Sequence, residues 1–362
     1  MPKVSIVLPT YNGEKYIRES IDSILNQTFT DWELIIVNDC SNDSTDSIIT
    51  QYEKMDKRIR IIRNEKNQKL PRSLNIGFDN SYGEYLTWTS DDNIYLPEAL
   101  EVMVAYLDQN EKSVFICTGM NMINSDGEFI CQHCKYTAER MLYNDSVGAC
   151  FMYKRCVLKD VGKYDPERFL VEDYDYWLRI LFFYGKIDYI DRVLYLYRLH
   201  EESLTGQRGE DIYRQLLNLR EDYIEYITNG LREYKDTLYQ VYYELIFGGH
   251  NNRTVREAFL LVEPEIANGK VDVLDGKVIV YGAGYFGKKA YEKYKDRIVC
   301  YIDKKESLVG KKINNIEICS MEILKEKKDQ YPVLIAVGFE KIFGCVTELK
   351  TYGVSEYYVL TP

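Results

Sequence analysis

Three clusters of small polar and acidic residues each follow directly on a short apolar run. Pro9, Thr10, Tyr11, Asn12 and Gly13 come after Val4 to Leu8, and Asn38, Asp39, Cys40, Ser41, Asn42, Asp43 and Ser44 come after Trp32 to Val37. Thr89, Ser90, Asp91, Asp92 and Asn93 come after Glu84 to Trp88. If these runs are strands of an open α/β sheet, the clusters converge on one crevice, because ligands in such sheets bind outside the carboxyl ends of the strands. Acid-rich strand ends suit a hard cation with oxygen ligands, Mg2+ or Mn2+, bridging phosphates. The alternative is helix capping by Asp39, Ser44 and Asp92. One such cluster would read as a cap; three in succession favour a nucleotide site.

The elements that would hold these residues follow from periodicity. After the first run, Ile17, Ile21, Ile24 and Leu25 have helical spacing. Helix-like stretches at Ser44 to Tyr52, Leu70 to Phe78 and Leu96 to Leu107 then alternate with strand-like ones at Trp32, Ile59, Glu84 and Val114. This alternation predicts a parallel or mixed sheet with helices on its faces. Asn124-Ser125-Asp126-Gly127 predicts a hairpin turn, and Asp173 to Phe183 a helix. Two extended stretches then end at Arg198-Leu199-His200. Amphipathic helices fill Asp211 to Glu265, and a second β-α pattern begins near Asp275-Gly276. The expected organisation is an α/β domain over 1–206, a helical connector over 207–272 and a small α/β domain over 273–362.

Composition bounds the function. The 362 residues are 46% hydrophobic and 28% charged, ordinary for a globular chain. A net charge of −11 argues against a duplex nucleic-acid binder, which carries a basic face. No apolar run reaches the ~18–20 residues of a membrane span, and Pro9 interrupts the N-terminal run, so a cytoplasmic protein is expected. The nine cysteines then read as reduced thiols. Cys131 and Cys134 have CxxC spacing around His133, but zinc would want a second such pair. The 33 tyrosines suggest sugar-stacking platforms or simply biased composition.

The segments PTYNGEKYIRESIDSILNQTFTDWELIIVNDCSNDST, TSDDNIYLPEAL, VEDYDYWLRI and YRLHEESLT occur in that order. Together they resemble the family 2 glycosyltransferases of GT-A fold, over about residues 3 to 206. The resemblance implies inverting transfer of a sugar from a nucleotide-diphosphate donor, usually a UDP-sugar, to a glycan or polyprenyl-linked glycan in surface polysaccharide synthesis. It implies that Pro9, Thr10 and Tyr11 hold the nucleobase with Asp39, that Lys69 and Arg72 face the diphosphate, and that Asp91 and Asp92 hold ribose and metal. It further implies Asp173 as the base that takes the acceptor proton, Glu172 as its partner, and His200 as a metal ligand. Thr89 departs from the family pattern, standing where the first acid usually is. In a helix Asp173 and Trp177 share a face, giving a carboxylate beside an indole platform for an acceptor sugar; capping by Asp173 and core packing by Trp177 are the alternative. Glu172 and Arg179 would form a supporting ion pair.

The C-terminal unit has its own motif. Lys277 to Tyr281 is an apolar run followed by Gly282-Ala283-Gly284-Tyr285-Phe286-Gly287, with Asp303 at the end of the next run. This is GxGxxG in a strand–helix setting with an acid about twenty residues on, which predicts a small Rossmann-like fold. It makes Gly282, Gly284, Gly287 and Asp303 a candidate second nucleotide site. NAD(P) is not expected, because too little chain follows to build a substrate half. A bifunctional NAD(P)-dependent enzyme and a non-catalytic nucleotide-sugar sensor are the competing functions. The connector helices could dock a second copy or the inner membrane face; their mixed charge favours neither.

Overall fold

The computed structural model describes residues 1–270 and 276–360; the expected boundary at 272/273 and the turn at Asp275 lie outside them. The chain folds into two compact units, Met1–Leu216 and Leu217–Pro362.

The first unit begins with β1 (Val4–Thr10), α1 (Ile17–Leu25), β2 (Trp32–Asn38), α2 (Thr45–Met55), β3 (Ile59–Arg63), α3 (Leu70–Asp79) and β4 (Tyr85–Trp88). The short β5 (Ile94–Tyr95), α4 (Ala99–Gln109), β6 (Phe115–Ile123), β7 (Phe129–Gln132) and α5 (Ala138–Met141) follow. Then come β8 (Phe151–Lys154), α6 (Cys156–Asp160), α7 (Glu172–Tyr184), β9 (Asp188–Arg198) and α8 (Leu204–Gln207). The sheet order is β3-β2-β1-β4-β8-β6-β9-β5, with β7 paired to β6 as the expected hairpin. β1 lies between β2 and β4 and runs parallel to both. All of β1, β2 and β4 is buried, as central parallel strands covered on both faces require. Each fully buried Ile, Leu or Val there contributes roughly 1.5–3 kcal/mol.

Two pairings build the crevice. β1 and β2 end together, Thr10 opposite Asn38, so the loops after them start side by side. β5, which directly follows the Thr89–Asn93 loop, pairs antiparallel with β9, Ile94 opposite Leu196 and Tyr95 opposite Tyr195. That pairing carries His200, two residues beyond β9, to the same edge. Neither β5 nor β8 stands out in the sequence, and the two residues of β5 are too few to show a period.

The two units divide within α9 (Gly209–Asp222), and the second continues with α10 (Ile224–Gly230), α11 (Lys235–Phe247), α12 (Arg253–Val262) and β10 (Gly269–Lys270). An α/β layer continues with β11 (Val278–Tyr281), α13 (Tyr285–Tyr294), β12 (Ile298–Ile302), β13 (Lys312–Ile313) and β14 (Ile316–Cys319). It closes with α14 (Leu324–Lys327), β15 (Val333–Ile335), α15 (Ile342–Thr351) and β16 (Tyr357–Val359). The order is β10-β16-β15-β11-β12-β14-β13, parallel except for β13. Helices expected as a separate connector belong to this unit. The Tyr239 ring of α11 meets Phe343 of α15 at 5.3 Å, and Tyr243 stacks on Phe339 at 6.5 Å. Their apolar faces are covered by the C-terminal layer.

Candidate active site

The loops after β1 and β2 are laced together. Asp39 N–H donates to the Thr10 carbonyl (2.9 Å), Asn12 N–H to Ser41 Oγ (3.0 Å) and Asn42 N–H to Asn12 Oδ1 (2.9 Å). Glu14 N–H donates to Asp43, and Ser44 N–H to Glu14. Asn12, Cys40 and Lys69 all have left-handed backbone, φ of 58°, 66° and 70°. Such strain gathers where a structure holds loops for a ligand. Gly13 is required by close approach: a Cβ there would sit 2.2 Å from Asp91 Oδ2. Thr10 donates its hydroxyl to that same Asp91 oxygen. None of Asp39, Ser44 and Asp92 donates a cap to the helix that follows it. Asp39, 5% exposed, instead accepts from Asn64 Nδ2 (2.7 Å), Gln68 N–H (2.7 Å) and Lys69 N–H (3.0 Å), anchoring the loop before α3. Ser44 makes no side-chain cap. Tyr11, Lys69 and Arg72 are exposed, with Arg72 3.5 Å from Glu167, and Pro9 is buried within β1.

Asp92 faces His200, Oδ2 to Nε2 at 3.0 Å. The other atoms of the pair, Asp92 Oδ1 and His200 Nδ1, are buried without a hydrogen-bond partner among the described residues. An unmet buried polar atom costs about 1–3 kcal/mol, a cost that a ligand bound at this pair would offset. Asp91 is pushed up to about 7 by burial and by the charge of Asp92. Among the described residues no three His, Cys, Asp or Glu side chains converge as a ready-made cation cage. Of the expected ligands Asp91, Asp92 and His200, the structure pairs Asp92 with His200 and turns Asp91 to Thr10. Two protein ligands fit Mg2+ or Mn2+, which take one or two side chains and complete their shell with phosphates and water. Thr89 points the other way. It is 1% exposed, and its hydroxyl bonds the Tyr195 phenol.

The second acidic group sits at the start of α7. Asp173 Oδ1 accepts from Tyr174 N–H (2.7 Å), and burial pushes its carboxyl above the usual range. Glu172, 4% exposed, accepts from Leu170 N–H (2.7 Å), whose backbone is left-handed at φ 82°. Glu172 thus clamps the strained turn that presents Asp173. Burial and the charge of Asp173 push Glu172 to about 8, and Asp145 likewise to about 8. The Tyr197 phenol is raised first by burial and then by Asp92, Asp173 and Asp145, so one side chain lies in the field of both acidic groups.

Two expectations fail here. Trp177 is fully buried, its ring 4.4 Å from Phe151 and 4.8 Å from Phe115, so it is core and no acceptor platform. Sharing a helix face with Asp173 did not expose it, because β6 and β8 cover that face. Arg179 pairs with Asp175, one turn away at 2.9 Å, rather than with Glu172. Sequence reasoning also missed Asp145, Tyr197 and Arg198. Tyr197 and Arg198 stand inside the quoted YRLHEESLT stretch; Asp145 carries no local signal.

In the second unit the glycine loop has the expected strand–turn–helix setting. Gly282 has φ 109°, and a Cβ on Gly287 would lie 2.1 Å from the Gly282 carbonyl oxygen. Both glycines are thus demanded by packing, while Gly284 faces open space. Asp303 accepts from Ala283 N–H (2.9 Å) and Lys305 N–H (2.9 Å). The nine cysteines are free thiols.

A mixed α/β sheet with acidic loops gathered at the carboxyl edge of its parallel strands is a transferase fold of the GT-A type. Two solved structures share it. TarS of S. aureus, in complex with UDP-GlcNAc, is 19% identical with a TM-score of 0.51, covering 76% of this chain and 95% of that one. The mannosyltransferase PcManGT of Pyrobaculum calidifontis, with GDP-Man and Mn2+, is 15% identical with a TM-score of 0.53, covering 71% of this chain and 74% of that one. Residues 5–162 match the model of glycosyl transferase family 2. An uncharacterized glycosyltransferase of Methanocaldococcus jannaschii is 34% identical over 223 residues, 59% of this chain and 77% of that protein. TuaG of Bacillus subtilis, named for teichuronic acid biosynthesis, is 31% identical over 146 residues, 40% of this chain and 57% of that protein. The chain belongs to glycosyl transferase family 2 and is a glycosyltransferase.

Proposed function

We propose that the protein is an inverting, metal-dependent glycosyltransferase that uses a nucleoside diphosphate sugar, UDP-linked, to extend a glycan or polyprenyl-linked glycan of a surface polysaccharide. The observation that supports this most is the Asp92–His200 pair with its two unpartnered buried atoms. TarS with UDP-GlcNAc, PcManGT with Mn2+ and the name of TuaG support the donor class, the metal and the pathway class. Thr10, Tyr11 and the strained loops after β1 and β2 would border the nucleobase. Asp39 spends three acceptor directions on the loop before α3, and a carboxylate has about four, which leaves one for a base N–H. Lys69 and Arg72 lie on the exposed side of that loop, where a diphosphate would pass.

Asp92 and His200 would hold the cation. When bound, it offsets charge building on the departing diphosphate, worth several kcal/mol. Asp173 takes the proton of the acceptor hydroxyl as that oxygen bonds the anomeric carbon and the diphosphate leaves with the electrons of the broken bond. Such a base contributes typically ~10²–10⁴-fold. A carboxyl raised by burial suits this role, because its basicity moves toward the operating pH.

We read the second unit as Rossmann-like from its parallel order around β11 and its glycine loop. Its role is positioning or docking, and Gly282, Gly284, Gly287 and Asp303 are not the donor site. The test is a thermal-shift and UDP-release screen of nucleotide sugars with and without Mn2+. Stabilisation by a UDP-sugar that Mn2+ strengthens, with slow UDP release, is expected. Equal behaviour with chelator would refute the metal assignment.

A further inference from the structure

One buried charge has no part in the transfer step. Arg198 ends β9 and is 2% exposed. Its Nε donates to the Asp92 carbonyl (3.0 Å), Nη1 to the Ser125 carbonyl (3.0 Å) and Nη2 to Glu19 (2.6 Å). Its own N–H donates to Asn93 Oδ1 (2.8 Å). The guanidinium also lies over the Tyr16 ring at 4.5 Å, and that ring tilts against the His200 imidazole with centroids 5.0 Å apart.

Burying a guanidinium costs several kcal/mol unless its donors are met. Filling space alone would be done with an apolar side chain. The hydrogen bonds made here run to three separate places, the Thr89–Asn93 loop, the hairpin turn between β6 and β7, and α1, and the ring contact to Tyr16 reaches the residue just before α1. His200 is two residues further along the chain. A lysine cannot reproduce this, since it offers one point of charge where the guanidinium offers a planar fork.

We propose that Arg198 is a positioning residue for the cation and diphosphate, holding the Asp92 backbone and the His200 ring in fixed relation. This rests on the reading of the crevice as the metal-dependent donor site. Residues that orient ligands in this way typically change metal affinity ~10–100-fold when lost.

The test measures Mn2+ affinity by electron paramagnetic resonance of free Mn2+ at saturating UDP, and UDP affinity in chelator by calorimetry. Both are run on the full chain, on Arg198→Lys and on Glu19→Gln. Arg198→Lys is expected to weaken Mn2+ binding at least about tenfold, with UDP affinity in chelator unchanged. Glu19→Gln keeps the arginine but releases one anchor, and a smaller loss in the same direction is expected. Unchanged Mn2+ affinity in a folded Arg198→Lys overturns the proposal. Should Arg198→Lys not fold, unchanged Mn2+ affinity in Glu19→Gln overturns it. An unsubstituted protein that binds UDP but no Mn2+ removes the metal reading itself, and this assignment with it.

Discussion

Each unit carries a crevice at the carboxyl ends of parallel strands, with an acid in a loop there: Asp92 after β4 in the first and Asp303 after β12 in the second. The two are finished differently. In the second unit Asp303 is satisfied by Ala283 and Lys305 N–H groups, and two of the three motif glycines are explained by packing. In the first unit Asp92 Oδ1 and His200 Nδ1 remain buried and unmet, the loops around them are strained, and a second acidic group stands nearby. Topology alone makes a place where a ligand fits. In the first unit that place also holds unmet polar atoms and left-handed backbone.

The largest effect should come from Asp173→Asn. The amide keeps the volume but cannot take a proton, so transfer should fall by roughly 10²–10⁴-fold while UDP-sugar affinity stays nearly constant. Retained transfer would move the base elsewhere, Asp145 being the next acid. Asp92→Ala should weaken Mn2+-dependent UDP binding by about tenfold or more, and His200→Ala less, as each removes one protein ligand. An unchanged response to Mn2+ in both would dissolve the contrast between the crevices.

Thr89→Asp restores the family's acid but buries it against Tyr195, away from Asp92. It should cost at least about 2 kcal/mol of stability without tightening Mn2+, read by denaturant unfolding and Mn2+ titration. The smallest effect concerns pH. Glu172 is raised in the folded state to about 8, so the folded protein binds its proton more tightly than the unfolded chain does. Its contribution is fully present below the unfolded value near 4.5 and is lost as pH rises toward 8. Glu172→Gln should flatten that decline by more than about 1 kcal/mol, the equivalent of one pKa unit. A decline of the same size in Glu172→Gln would place the sensitivity in Asp145 or Asp91.

Much of the first unit could be read from its sequence because parallel strands buried on both faces are apolar throughout and end sharply at polar clusters. Val4, Trp32 and Ile59 begin strands where the periodicity put them. Residues whose role depends on sheet order could not be read. β5 is two residues long, yet its pairing with β9 brings His200 to Asp92. Trp177 reads equally well as platform or core until β6 and β8 are seen to cover it. Arg198 shows its importance only once four distant partners meet it. The helices of 235–262 looked like a connector because an amphipathic face does not say what covers it; α11 is covered by α15. A truncation near Asn268 would strip that cover, so a cut after Leu216, where the units divide, is the better separation.

The most direct measurement is calorimetric titration of UDP, with Mn2+ and with chelator, into the unsubstituted protein, Asp92→Ala and Asp303→Asn. The account predicts Mn2+-dependent binding that Asp92→Ala weakens and Asp303→Asn leaves intact. Binding that ignores Asp92 and is lost in Asp303→Asn would put the donor at the glycine loop of the second unit and contradict it.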